Sequence, residues 1–79
     1  MNTEQQELKK FLVQQLKWSK ERTKILDAIN EKLHKMKEIT EFSLAHNLSL
    51  SEIHKLNEQL NALKDEVYYL EKQLNTVVH

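Results

Sequence analysis

From Ile53 to Val77 the apolar side chains return every three or four residues, with Ile53, Leu60, Val67 and Leu74 in one column and Leu56, Leu63, Leu70 and Val77 in the other. This is the a/d pattern of a heptad, unbroken over its whole length. Charged residues surround it: Glu52, Glu58, Lys64, Asp65, Glu66, Glu71 and Lys72. The spacing predicts a helix over about 50–77 with a single apolar seam.

The proximal half keeps the same period but carries two apolar columns. Leu26, Ile29, Leu33 and Met36 form the cleaner seam, which continues into Thr40 and Ser43 towards the C-terminus and into Arg22, Ser19 and Gln15 towards the N-terminus. Beside it run Phe11, Trp18, Ile25 and Ile39, interrupted only by Lys32. The pattern predicts a long helix over about 4–46, and two apolar columns give that helix two neighbours to satisfy. Thr3 is placed to cap its start, and Glu4 suits the positive end of its dipole.

Between the two helices lies Asn47-Leu48-Ser49-Leu50-Ser51-Glu52-Ile53. Ser49 and Glu52 have capping-box spacing, and Leu48 and Ile53 flank the box as a hydrophobic staple. Asn47 is expected as a left-handed cap on the preceding helix. Reversing the chain here predicts an all-α antiparallel two-helix hairpin, one domain over residues 1–79. In that register Leu60 meets Met36, Leu63 meets Leu33, Val67 meets Ile29, and Leu70 meets Leu26 or Ile25. Glu71 comes within reach of Arg22.

The helices are unequal. The second is exhausted near Val77, level with Trp18, so residues 4–18 overhang as an amphipathic segment roughly 20 Å long at about 1.5 Å per residue. The segment carries Leu8, Phe11, Leu12, Leu16 and Trp18. Either the helix breaks near Ser19-Lys20 and folds back as a third helix, or a second chain covers it. With no Gly or Pro to break the helix, a second copy is expected, giving a dimeric helical bundle or coiled coil. A parallel zipper through the second helix would set Glu66 against Glu71 across the dimer, a like-charge contact that the hairpin avoids.

Composition narrows the function classes. The chain of 79 residues has no Cys, Gly or Pro. It therefore lacks disulfides, thiolate chemistry and glycine loops for phosphates, and a core of this size has little stability to spare. Lys, Asn, Gln and Ile usage suits an AT-rich genome, and a small bacterial or phage protein is the corresponding expectation. The formal net charge is zero, but residues 1–24 hold six Lys/Arg against three Asp/Glu. No apolar run approaches the roughly 20 residues of a membrane span and no signal-peptide pattern opens the chain, so a cytoplasmic location is expected.

Candidate chemistry is sparse. His34, His46, His54 and His79 include no pair at i, i+4 spacing, so surface histidines and no metal are expected. No nucleophile, base and orienting group can be placed together, and neither catalysis nor a cofactor is predicted. The stretch from Leu33 to Val67, with its turn at Asn47-Leu48 and Asn57-Glu58-Gln59-Leu60-Asn61 beyond it, resembles in outline a family of small bacterial sporulation-control phosphatases. Those act on aspartyl-phosphate response regulators and are two-helix hairpins with a Ser-Gln-Glu-Leu-Asp motif. The resemblance implies the hairpin fold. It does not carry the activity, which rests on the terminal acidic position, here Asn61.

Three binding readings remain. Phe42, Ser43, Asn47, Leu48, Ile53 and Leu56 fall near helix-turn-helix positions over 42–56, and together with Lys9, Lys10, Lys17 and Lys20 they support nucleic-acid binding as the alternative. The same lysines beside Leu8, Phe11, Leu12, Leu16 and Trp18 fit a membrane surface less well, because Glu4 and Glu7 oppose it. Protein contact is the principal expectation: a non-enzymatic, self-associating interaction module that also binds another protein as a regulator or adaptor. Its contact residues would be Leu8, Phe11, Leu12, Leu16 and Trp18, with the adjacent Tyr68 and Tyr69 as a second patch.

Overall fold

Asn2 starts the first helix. Its Oδ1 accepts a hydrogen bond from the Gln5 backbone N–H at 2.8 Å, from an extended backbone at φ −83° and ψ 164°. The cap therefore falls one residue before Thr3, which is already helical, because the Asn side chain reaches the third helical amide from that position. The computed structural model describes residues 2–77, in which α1 spans Thr3–Ala45 and α2 spans Leu50–Val77.

The reversal is built by side chains at both helix ends. Ser49 Oγ accepts from the Glu52 N–H at 3.2 Å and donates to Glu52 Oε1 at 2.9 Å, while the Ser49 N–H donates to the same carboxylate at 3.4 Å. The capping box is thus formed as its spacing predicts. The end of α1 differs from expectation. No described residue has positive φ, so Asn47 is not a left-handed cap. His46 ends the helix in extended conformation instead, at φ −122° and ψ 145°. Its ring stacks on Phe42 with centroids 4.1 Å apart, and its Nδ1 lies 2.9 Å from the Phe42 carbonyl oxygen. An Nδ1–H tautomer satisfies one of the carbonyls left free at the helix end, which makes the left-handed cap unnecessary.

The box has a measurable weight. Ser49→Ala is expected to cost about 1 kcal/mol, read by circular dichroism as a fall in melting temperature of roughly 5 °C for a domain of this size.

The two helices pack antiparallel. Ile39 shares a surface depression with Leu63, Lys32 with Leu70, and Ile25 with Val77, so ascending positions on α1 meet descending positions on α2. On α2 the packed face is the predicted seam: Val67 is buried, and Leu56, Leu60, Leu63, Leu70, Leu74 and Val77 are half-buried. Ile53 stays exposed at the turn end.

On α1 the seam is rotated from its predicted position. Trp18, Ile25, Ile29, Lys32, Met36, Ile39 and Ser43 are half-buried, whereas Leu26 and Leu33 stay 42% and 48% exposed. The two candidate seams share Ile29, Met36 and Ser43 and differ in the third column. One choice is Trp18, Ile25, Lys32, Ile39; the other is Ser19, Leu26, Leu33, Thr40. Over the packed length each places two large apolar side chains at the interface, Ile25 and Ile39 or Leu26 and Leu33, so apolar count alone does not separate them.

Lys32 does not spoil that choice. Its Nζ reaches Glu66 of α2 at 3.0 Å, leaving its methylene stem to cover the seam. This is the ion pair that joins the helices among the described residues; Arg22 and Glu71 do not form one. The rejected column keeps its hydroxyls occupied within α1, where Thr40 Oγ1 donates to the Met36 carbonyl at 2.9 Å.

Candidate functional site

With 43 residues against 28, α1 is the longer helix by some 22 Å at about 1.5 Å per residue. The molecule is a rod whose Cα atoms span 70 × 18 × 11 Å. Val77 reaches the level of Glu21, Lys24 and Ile25, and α1 runs on unbroken to Thr3. Ser19 and Lys20 lie within a continuous helix, where Thr23 Oγ1 donates to the Ser19 carbonyl at 2.9 Å. The overhang is therefore straight helix, and no third helix folds back over it.

Its apolar residues are uncovered. Leu8, Phe11, Leu12 and Leu16 are each 56–58% exposed, and Trp18, one turn short of the hairpin body, is half-buried. Leu8, Leu12 and Leu16 form one row at i, i+4 spacing with Phe11 beside it. Val13, 59% exposed, adds a fifth large apolar side chain that the heptad reading passed over because it lies off both columns. Lys9, Lys10, Lys17 and Lys20 border this surface, and none is in an ion pair among the described residues.

The rotation of the seam exposes a further apolar strip. Leu26 and Leu33 lie on the flank of α1 away from Lys32 and continue the Leu8–Leu12 side of the overhang along the hairpin. Periodicity could have revealed it: a helix with two apolar columns packs one and leaves the other for a second neighbour.

The tyrosines do not form one patch. Tyr69 lines the depression beside Lys32 and Glu66, and Gln73 Nε2 donates to its hydroxyl at 3.3 Å. Tyr68, one residue back and so about 100° around the helix, lies on the other flank, with Lys72 Nζ 5.6 Å from its ring centroid. Both are exposed, at 61% and 63%, but they face different ways.

Elsewhere the surface is ordinary helix exterior. His34 and His54 each lie near a carboxylate four residues on, Glu38 at 3.1 Å and Glu58 at 3.0 Å. Lys35–Glu31 and Lys37–Glu41 repeat that spacing, and exposed pairs of this kind contribute only a few tenths of a kcal/mol each, roughly. His79 lies outside the described residues. Among those described, no three His, Asp or Glu side chains are grouped so as to hold a metal ion, and no helix is long and apolar enough to cross a membrane. No family model, curated protein or solved structure matches the chain.

Proposed function

We propose that the protein is a non-enzymatic helical interaction module that self-associates through the overhang of α1 and acts by binding another protein, as a regulator or adaptor. The observation that carries this proposal is the row Leu8, Phe11, Leu12 and Leu16, held more than half exposed on a rigid helix beyond the reach of α2. A domain with so thin a core has no structural use for four such side chains in water, and association is the direct way to bury them. The Leu26–Leu33 strip offers room for the protein partner beside the self-contact.

A non-enzymatic role is supported by the open, shallow form of the depressions found among the described residues, which lie along the helix flanks or on one side of α1. The joint over 42–56 closes an antiparallel hairpin, not the roughly 90–120° crossing of a helix-turn-helix, which weighs against DNA reading there.

Sedimentation equilibrium of the full chain tests the proposal. A reversible dimer in the micromolar range is expected. A monomer at every concentration up to about 1 mM, where ΔG of association would be weaker than about −4 kcal/mol, overturns it. In that case a gel shift at low salt, lost on changing Lys9, Lys10, Lys17 and Lys20 to Gln, would identify nucleic acid as the partner.

A further inference from the structure

We infer that residues 9–24 carry a second binding surface, a lysine face that seats on the phosphate backbone of duplex DNA without reading its sequence. It goes beyond the protein contact proposed above, uses the side of α1 next to the apolar row, and does not depend on self-association.

The stretch holds Lys9, Lys10, Lys17, Lys20, Arg22 and Lys24 against Glu21 alone, while the rest of the chain holds six Lys/Arg against eleven Asp/Glu. A chain of zero net charge thus gathers its positive excess on one segment, an asymmetry that points to a polyanion. The five lysines also share a face. At 3.6 residues per turn Lys9, Lys20, Lys24, Lys17 and Lys10 fall, in that order, within an arc of about 100°, along roughly 22 Å of helix. Val13 is the apolar side chain among them, and Leu16 and Glu21 border the arc. Asp27 and Glu31 end it towards the hairpin body, and Arg22 lies outside it.

All five lysines are exposed, and none has an ion-pair partner among the described residues. The ion pairs lie in the hairpin body instead, where Glu31, Glu38, Glu41, Glu58 and Glu66 each face a basic side chain. The body of a second copy therefore offers no concentrated acidic face to these lysines. Lys17 and Lys20 stand at i, i+3 and Lys20 and Lys24 at i, i+4, spacings at which like charges destabilise a helix. The end of α2 reaches only the level of Lys24, so packing against it does not offset that repulsion. An anionic partner does.

The chemistry of the face selects the polyanion. Lysine is depleted at protein interfaces, and one valine among five lysines supplies no anchor for a protein partner. A phosphate backbone needs only point charges. A membrane surface fits poorly because the lysines flank the apolar row on one side, whereas Glu4 and Glu7 lie towards the other and would meet anionic headgroups. Single strands are held by stacking on open aromatic rings. Here Phe11 belongs to the apolar row, and Trp18, at the edge of the depression beside Lys9, Lys10 and Lys17, is half-buried. A duplex asks for no stacking. The straight overhang can lie along the B-form major groove, about 12 Å wide and able to admit a helix, whereas the A-form groove of duplex RNA is too narrow.

Fluorescence anisotropy of the full chain with duplex DNA of mixed sequence tests the inference. Five phosphate contacts give a slope of about −4.5 in log K against log salt, a loss of about 500-fold between about 50 and 200 mM. The variant K9Q/K10Q/K17Q/K20Q/K24Q should lose binding at low salt. The body variant K35Q/K37Q/K55Q/K64Q/K72Q, which removes the same charge from exposed positions elsewhere, should keep it. Gln is close to Lys as a helix former, and circular dichroism confirms that both variants fold. No binding by the wild-type chain at low salt overturns the inference, as does equal weakening by the two variants. Single-stranded DNA, duplex RNA, polyglutamate or anionic vesicles bound at least as tightly as duplex DNA overturn it too, by assigning the face to that partner. Sedimentation without nucleic acid reports self-association separately, so either proposal can fail alone.

Discussion

Val67→Asp is expected to abolish the hairpin at 25 °C, with loss of most of the helical circular dichroism and of any cooperative melt. Val67 is the buried side chain of the described residues, 9% exposed, at the middle of the α2 seam. Removing it forfeits about 1.5–3 kcal/mol of apolar burial. A carboxylate in its place must lose water with no built partner, at a cost of several kcal/mol more. A core of this size supplies only about 3–5 kcal/mol in total, so the sum exceeds what holds the helices together. The matched control is Tyr69→Asp, on the same helix but 63% exposed, which should leave the melt within a few degrees of the parent. A Val67→Asp variant that melted like the parent would mean that α1 and α2 do not close at this level.

Leu12→Glu should dissociate the self-associated form while leaving the hairpin folded. Leu12 is 56% exposed and distant from the α1–α2 seam, and Glu is as good a helix former as Leu, so the fold has no reason to respond. On the interface the effect doubles, because both copies change at once. Losing two partly buried leucines costs about 3 kcal/mol, taken at the low end of the burial scale for each side chain. That corresponds to a dissociation constant raised at least about 100-fold. Sedimentation velocity at a concentration where the parent is dimeric reads the change directly. A variant that stays dimeric with unchanged helicity would remove the overhang as the contact surface.

Much of the hairpin was legible because its signals are local. The capping box needs only Ser49 and Glu52 three residues apart, and the hydrogen bonds it forms involve no distant residue. The heptad of α2 was legible because it has a single apolar column pair and hence a single face to bury. The start of α1 was misplaced by one residue, since Asn2 and Thr3 are both competent caps and the choice rests on backbone geometry.

The face that α1 presents was not legible. Leu26 and Leu33 look better than Ile25 and Lys32 when compared pair by pair. Over the whole packed length the two columns hold equal numbers of large apolar side chains, and choosing between them requires knowing that Lys32 finds Glu66 across the interface. A lysine scored as a polar interruption is, in place, a methylene stem with its charge held at the edge. The candidate site follows from the same decision. The overhang residues could be named from the mismatch in helix lengths, but the exposure of Leu26 and Leu33 and the divergence of Tyr68 from Tyr69 appear only once the seam is placed.

The amino-acid order by itself determined two helices, the turn between them, the buried face of α2 and an uncovered apolar segment at the start of α1. Each of these depends on side chains within one or two turns of one another, so periodicity and capping settle them. Only the tertiary structure decided which of two apolar columns on α1 meets α2, and therefore which leucines are left for a partner. That choice involves an ion pair between residues 32 and 66, on different helices and far apart in the chain, and no local window contains it.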